Sequence, residues 1–275
     1  MTSVENLSEL AARIPDGARI GLPPEYSFVP MGMIFSLIRQ DIKNLDVICV
    51  PIGGLAVDLL IGSGCVRSLE AAAVSLGEMG KAPQFTIALQ EGRIEFKDST
   101  CPAIHTALQA SEKGVPFMPL GGLIGSDLLN YRKDWRVIED PLEEENGRIV
   151  LIPAIQPDFA ILHSPLADSQ GNVWIGKRRE LITLAHAAKE TLVTVEAIVE
   201  HDFLADEKMS AGTLSNLYIS AISKVHNGSK PLSLPGHYDS DSKVIEFYAS
   251  EARTDVGFRK FVNLKIYKFG IIKIR

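Results

Sequence analysis

Short apolar runs alternate along the chain with longer segments in which apolar residues recur at helical spacing. Runs of four to six apolar residues are typical of buried strands, and recurrence at every third or fourth residue is typical of helices that cover a sheet. The alternation predicts an α/β fold with an open, mostly parallel sheet flanked by helices. We expect a single domain over residues 1–275, with a peripheral tail from about residue 264.

The predicted strands are runs that are apolar throughout or that alternate with polar residues. They fall at residues 18–22, 46–51, 71–75, 93–97, 148–153, 158–164 and 191–196. The predicted helices, some marked by a cap or by a proline in the first turn, fall at residues 2–14, 30–38, 55–61, 81–90, 103–111, 180–189, 242–252 and 255–262. Residues 143–147 and 229–242 have the composition of exposed loops.

Two local signals support the first helices. Thr2 and Glu5 have the spacing of a capping box, which satisfies two backbone N–H groups at a helix start. Pro30 fits the first turn of the second helix, because its missing N–H would have no partner there. Met31, Ile34, Phe35 and Ile38 would then share one helix face, and we expect that face to be core.

Composition limits the class of protein. The chain has 275 residues, of which 46% are hydrophobic, and this is enough for a sizeable core. Its formal net charge of -6 and its sequence pI of about 5.6 argue against nucleic acid as a partner, since phosphate binding needs a concentrated basic face. No apolar stretch reaches the roughly 18 residues that a membrane span needs, so we expect no membrane partner.

The cysteines indicate neither a disulfide framework nor a metal site. Cys49, Cys65 and Cys101 are odd in number and widely spaced, so we expect them to be reduced and we predict no metal ligands. The first residues contain no basic segment followed by an apolar run, so we expect no secretory signal and a cytoplasmic protein.

Common cofactor and nucleophile motifs are absent or incomplete. The stretch from Gly62 to Arg67 begins like a dinucleotide fingerprint, but Arg67 stands where the third glycine is needed for close packing of helix on strand. No GxSxG elbow or Cys–His signature occurs. His105 and His186 lie on predicted helices, where we expect surface or packing roles. His163 differs, because it ends a predicted strand at the edge where open α/β sheets bind ligands.

The segment from residue 157 to residue 172 combines that strand with a turn. Asp168 and Asn172 can bond nearby backbone amides, and Gly171 permits a positive φ. The stretch matches the pattern DxAxxHxxxADxxGN almost position by position. Further matches lie in the segments LDV at 45–47, DLLIGSG at 58–64, GSD at 125–127, VE at 195–196 and GF at 257–258.

Taken together, these segments resemble the A-type half of the family I coenzyme A transferases over nearly the whole chain, from Gly21 to about Val262. The resemblance implies a fold of the NagB/RpiA/CoA-transferase-like kind. It also implies an enzyme that moves CoA from an acyl-CoA to a small carboxylate through a covalent glutamyl-CoA thioester. In this family the glutamate belongs to the B half. We therefore expect a B-type partner subunit, in a heterodimer or an A2B2 assembly, with CoA as a substrate and no permanently bound cofactor.

The resemblance also implies which residues form the wall of the acyl pocket. They belong to the loop after the first sheet strand, to the turn after the second, and to a later glycine-containing loop; we name Ser27, Gly53, Gly54, Gly125 and Ser126, and we add His163 from its place at the sheet edge.

One departure from the family pattern affects this wall. The loop after the first strand is glycine-rich in the family, whereas this chain has Pro23 and Pro24, which cannot donate hydrogen bonds. The donors to a developing oxyanion would then be the backbone amides from Glu25 to Phe28, or the site performs different chemistry. Glu25 is our candidate general acid or base if burial raises its pKa.

Two other functions stay open. On the same scaffold, the chain could belong to an acyl-CoA or ring-opening hydrolase. Relatives of that type carry a glutamate in the segment where this chain has Cys101 and Pro102, which counts against this alternative. The second alternative is a non-catalytic ligand-binding or scaffold domain, since a fold does not fix a function.

Overall fold

The computed structural model describes residues 3–142 and 147–269. Its strands are β1 Ser3–Val4, β2 Arg19–Leu22, β3 Leu45–Cys49, β4 Ile52–Gly53, β5 Val66–Ala71, β6 Ala73–Val74, β7 Glu95–Asp98, β8 Phe117–Leu120, β9 Arg136–Glu139, β10 Arg148–Pro153, β11 Phe159–Asp168, β12 Val173–Trp174, β13 Glu190–Val199, β14 Thr213–Leu214 and β15 Ala221–Lys224. Its α-helices are α1 Leu7–Ala12, α2 Met31–Arg39, α3 Leu55–Gly62, α4 Pro83–Gln90, α5 Cys101–Glu112, α6 Leu128–Tyr131, α7 Arg179–Ala187, α8 Glu207–Ser210, α9 Ser242–Glu251 and α10 Asp255–Phe269.

The main sheet has the order β1-β15-β13-β11-β2-β3-β5-β7 within the described residues. Every neighbouring pair along this order is parallel, and β12 and β14 join it through antiparallel pairing beside β11. Both faces of β3 are covered, because Val47 and Cys49 belong to one core cluster while Ile48 and Val50 belong to another. The predicted open, mostly parallel α/β sheet with flanking helices is confirmed.

A small antiparallel sheet stands apart from this order. Its strands pair as β8-β10-β9, and α5 packs against β8 and β10. Of the strand ranges predicted above, only the one at residues 148–153 belongs to this sheet. All four residues of β9 are exposed, so β9 lacks the apolar run that marks a buried strand, whereas β8 is apolar throughout but contains Pro119, which cannot donate to a strand ladder.

The first helix begins later than predicted. Asn6 caps α1, and its side chain accepts the Glu9 N–H while the Glu9 side chain accepts the Asn6 N–H, so the capping box lies at this pair. The prediction at Thr2 and Glu5 was therefore wrong, and Thr2 itself lies outside the described residues. The core face of α2 is confirmed, because Met31, Ile34 and Phe35 are buried.

Gly62 is the last residue of α3, and Gly64 lies in the turn that leads from this helix to a strand. Strand β5 follows α3 directly, and Gly64 has a φ of 69°. A dinucleotide fingerprint needs the opposite order, in which the strand precedes the glycines and the helix follows them.

Two predicted segments fall wholly or partly outside the described residues. The predicted loop at residues 143–147 is described only at Gly147. Of the predicted tail, residues 270–275 lie outside the description, and helix α10 continues to Phe269.

Candidate active site

A pocket of about 350 Å³ opens where the carboxyl ends of β2 and β3 face helices α5 and α7. In open parallel sheets, ligands bind outside the carboxyl ends of the strands. The residues that line it are Pro24 and Tyr26 after β2, Val50 and Pro51 after β3, His105 and Gln109 on α5, and Arg179, Glu180 and Thr183 on α7. We take this pocket, called the edge pocket below, as the candidate active site.

Glu25 lies beside the edge pocket, with its carboxyl group against the start of α3. Its Oε1 accepts the Leu55 N–H at 2.6 Å, and Ala56 also donates a backbone hydrogen bond to this carboxyl. Burial raises the pKa of Glu25 to about 8, and the nearby charge of Asp58 adds to this rise, while the two backbone amides oppose it. The carboxyl group is therefore mainly protonated at neutral pH.

The structure brings Glu25, Gly53 and Gly54 together. A β-carbon at Gly54 would lie 2.3 Å from the carboxyl carbon of Glu25, and one at Gly53 would lie 2.8 Å from the Cys49 Sγ. Both distances are far below a normal contact, so the two glycines permit the close approach of these side chains. The proline pair before Glu25 fixes the direction of the loop that delivers it.

A second buried carboxyl group lies behind Glu25. Asp58 on α3 is fully buried, accepts the Phe85 N–H at 2.6 Å, and accepts the Tyr248 hydroxyl at 2.6 Å. Burial raises the pKa of Asp58 to about 6, although these hydrogen bonds oppose the rise. The sequence around Asp58 does not indicate a buried acid, because its partner Tyr248 is 190 residues away.

Ser27 connects the loop after β2 to α7. Its buried side-chain hydroxyl donates to Glu180 Oε1 at 2.5 Å, and its backbone N–H donates to the Pro24 carbonyl at 2.8 Å. The Ser27 amide is thus already bonded within the loop. The next residue, Phe28, has a φ of 57°, and the Arg178 guanidinium lies 4.0 Å from the centroid of its ring.

His163 lies within β11 and away from solvent, in contrast to the strand end that the sequence predicted. The strand continues to Asp168 past Pro165, which has no N–H and is omitted from the register with β13. The His163 side chain is 0% exposed. Its Nδ1 lies 2.9 Å from Thr194 Oγ1 and its Nε2 lies 3.0 Å from Glu196 Oε1, so both ring nitrogens are occupied. Burial lowers its pKa, against the opposing effect of Glu196.

Glu196 is the centre of this second network. Its carboxylate accepts the N–H groups of Asn227 and Gly228 and the hydroxyl of Tyr238, at 2.8 to 3.0 Å. Burial works against ionisation, but the bonds from His163, Asn227 and Tyr238 lower the pKa of Glu196 to about 2. The network fixes the loop after β15 onto the end of the sheet, which is a structural role that the sequence did not reveal.

Gly125 and Ser126 belong to the loop before α6. Gly125 is exposed with a φ of 84°, and Ser126 Oγ accepts the Leu128 N–H at 3.2 Å. Neither residue lines the edge pocket. Leu123 of the same loop belongs to the core cluster that contains Val50, and Ile124 packs against that cluster.

The sequence did not single out the polar wall of the edge pocket. His105 was expected to have a surface or packing role, and Gln109, Arg179 and Glu180 received none, yet all four line the pocket. One feature of the sequence could have indicated this wall: the basic run from Lys177 to Arg179, which follows Gly176 and precedes a predicted helix.

Two of the three thiols are buried, and Cys101 is exposed. Cys49 is buried, and burial raises the pKa of its thiol. Burial also raises the pKa of Cys65, to about 11. No group of three or more His, Cys, Asp or Glu side chains in these residues is placed to hold a metal ion. None of their helices combines the length and the hydropathy needed to cross a bilayer.

Comparison with known proteins gives consistent matches. The sequence pattern of the family described as Coenzyme A transferase matches residues 4–216. The A-type subunit of 3-oxoadipate CoA-transferase from Pseudomonas knackmussii is 28% identical, with 96% of this chain and 93% of the relative covered. The cholesterol ring-cleaving hydrolase IpdA subunit of Rhodococcus jostii is 27% identical, with 85% and 81% covered.

A solved structure also resembles the chain. Glutaconate coenzyme A-transferase from Acidaminococcus fermentans superposes with a TM-score of 0.88 and 23% sequence identity, over 97% of this chain and 89% of the other. This likeness shows a shared fold.

Proposed function

Since the chain belongs to the coenzyme A transferase family, we propose that it is the A-type subunit of an enzyme that moves CoA between an acyl-CoA and a small carboxylic acid. A B-type partner, in a heterodimer or an A2B2 assembly, supplies the glutamate nucleophile. CoA is a substrate, no cofactor is held permanently, and the enzyme works in the cytoplasm.

The observation that carries this proposal is the state of this chain's own nucleophile candidates next to the edge pocket, since Ser27, Cys49 and Glu25 are not among its lining residues. The Ser27 hydroxyl is engaged in a hydrogen bond that it donates to Glu180 Oε1, Cys49 is buried with a raised pKa, and burial raises the pKa of Glu25 to about 8. A protonated carboxyl group is a poor nucleophile. Glu180 lines the pocket, but its Oε1 already accepts the Ser27 hydroxyl. We therefore expect the attacking carboxylate to come from a second chain that completes the pocket.

The chemistry needs such a carboxylate in a site that excludes water. The partner's glutamate attacks the thioester carbonyl and releases CoA thiolate, leaving an anhydride between the acyl group and the glutamate. The thiolate then attacks the glutamyl carbonyl and releases the acyl carboxylate, which leaves a glutamyl-CoA thioester. The acceptor carboxylate reverses these steps and departs as the new acyl-CoA. This chain contributes one wall and the protonated Glu25 beside it.

A reaction assay tests the proposal. The protein is purified with any copurifying chain, mixed with one acyl-CoA and a labelled carboxylate, and examined for labelled acyl-CoA. We expect label transfer that needs both chains. Free CoA without an acceptor would instead favour the hydrolase alternative, for which the raised pKa of Glu25 is the supporting observation. Absence of both activities would favour a non-catalytic domain.

A further inference from the structure

The start of α7 places a cation at the edge pocket. Lys177, Arg178 and Arg179 are consecutive, and Arg178 is stacked on Phe28. Arg179 is exposed and lines the pocket. In the part of the chain that the structure describes, its guanidinium has no carboxylate partner and no hydrogen bond. Other arginines, such as Arg67 and Arg132, are paired with carboxylates.

The rest of the polar wall leaves this cation available. Glu180 is the adjacent carboxylate, but its Oε1 accepts the Ser27 hydroxyl at 2.5 Å. His105 is half-buried, and burial lowers its pKa despite the nearby charge of Glu180, so the ring is mainly neutral at pH 7. Gln109 has no side-chain hydrogen bond within the described residues. The wall thus offers donors to an oxygen-rich group.

The loops after β2 and β3 add a different kind of lining. Pro24, Val50 and Pro51 are apolar, whereas the lining residues on α5 and α7 are polar. A volume of about 350 Å³ lies at the lower end of the range for small-molecule sites. It suits a short acyl chain and is too small for a whole CoA molecule. Because α7 begins at Arg179, the positive end of the helix dipole adds to the charge of the guanidinium.

On the basis of the function proposed above, we infer that Arg179 binds an anionic group of the acyl-CoA substrate. Two parts of that substrate have this chemistry. One is a second carboxylate at the far end of the acyl chain, which would lie inside the pocket against Arg179, His105 and Gln109. The other is a phosphate of CoA, which would lie at the pocket mouth between Arg179 and Lys177.

Binding measurements with three thioesters test the inference and separate these sources. Glutaryl-CoA, pentanoyl-CoA and the glutaryl thioester of pantetheine are titrated calorimetrically into the protein together with any copurifying chain. Arg179→Gln is expected to weaken binding about tenfold or more, as removal of a charged hydrogen bond typically does. Weakening confined to the two glutaryl compounds assigns the acyl carboxylate. Weakening confined to the two CoA compounds assigns the phosphate.

Matched variants control for charge and folding. Arg39→Gln removes an exposed arginine on α2, outside the pocket, and is expected to leave all three affinities unchanged. Arg179→Lys keeps the charge and is expected to restore part of the affinity. The inference is overturned if Arg179→Gln matches the wild type for all three compounds, or if the wild-type protein binds none of them. Binding that depends on Arg179 without CoA transfer would leave the inference intact and refute the proposed function.

Discussion

The carboxyl group of Glu25 occupies the space that a side chain at Gly54 would need, since a β-carbon there would lie 2.3 Å from the Glu25 carboxyl carbon. The pair joins the loop after β2 to the first turn of α3. The N-cap of that helix is Gly54, which has no side chain to accept a hydrogen bond. The Glu25 carboxyl takes this role instead and accepts the Leu55 N–H.

Gly54→Ala should therefore force Glu25 out of its position. We expect a loss of about 1–3 kcal/mol in the free energy of unfolding, as overpacking in a close-packed region usually costs, and the measurement is denaturant unfolding. In Glu25→Ala the obstructing carboxyl group is gone. The double variant Gly54→Ala/Glu25→Ala should then be more stable than the sum of the single changes predicts. Additive losses would contradict the close contact.

The raised pKa of Glu25 makes stability depend on pH. Its folded value of about 8 exceeds its ordinary value of 4.5, so the folded state binds more protons between these values. The contribution of protonated Glu25 to the free energy of unfolding, measured against Glu25→Gln, is fully present below about pH 4.5. This contribution is lost as the pH rises through 8. We expect the difference in unfolding free energy between the two proteins to change by at most about 1.4 kcal/mol per pH unit in this window. A constant difference from pH 5 to pH 9 would show that Glu25 is ionised in the folded protein.

Loss of the Glu196 carboxylate should destabilise the fold. Glu196→Ala leaves the N–H groups of Asn227 and Gly228, the Tyr238 hydroxyl and the His163 ring without their acceptor. We expect a loss of about 3–5 kcal/mol in unfolding free energy. The exposed neighbour Glu200 supplies the control, because Glu200→Ala should change stability by no more than about 0.5 kcal/mol. Equal effects of the two changes would show that the network contributes little.

The lowered pKa of Glu196 predicts an acid limit to stability. Its folded value of about 2 lies below the ordinary 4.5, so its contribution is present above about pH 4.5 and is lost as the pH falls through 2. Thermal unfolding of the wild type and of Glu196→Gln should therefore converge between pH 4.5 and pH 2. Parallel curves over this range would contradict the assignment of the lowered pKa to Glu196.

Tyr248 supports the buried carboxyl of Asp58. Tyr248→Phe removes the hydroxyl that donates to Asp58 at 2.6 Å and leaves the ring packing in place. We expect a cost of about 1–3 kcal/mol in unfolding free energy, because Asp58 stays buried with one partner fewer. The double variant Asp58→Asn/Tyr248→Phe completes a double-mutant cycle, in which urea unfolding measures the stability of each protein. A coupling energy near zero between the two changes would rule out this hydrogen bond as a stabilising contact.

Much of the fold could be predicted from the sequence because local patterns determine it. The run at β3 is short and mostly buried, β10 alternates between buried and partly exposed residues, and the apolar face of α2 has a clear helical period. Strand β9 has four exposed residues and no such pattern. It is a strand because it pairs with β10, and the periodicity of its own sequence does not predict that pairing.

The candidate site was less predictable, since its contacts join distant segments. Glu25 could be selected from its loop, but its contact with Leu55 and Gly54 depends on the orientation of α3. The Ser27 to Glu180 hydrogen bond spans 153 residues, and nothing near Glu180 in the sequence points to it. The pattern predicted that His163 ends a strand, whereas in the fold it lies inside β11 and pairs with Thr194 of β13.

The proposed enzyme divides its site between two chains: this chain forms one wall, and the attacking carboxylate comes from a partner. The most direct measurement is mass spectrometry of the enzyme after brief incubation with an acyl-CoA and no acceptor, with each chain analysed intact and after digestion. We predict a CoA thioester on a glutamate of the partner chain and none on this chain, with Glu25 unmodified. A CoA thioester on Glu25, or CoA transfer catalysed by this chain alone, would contradict this division.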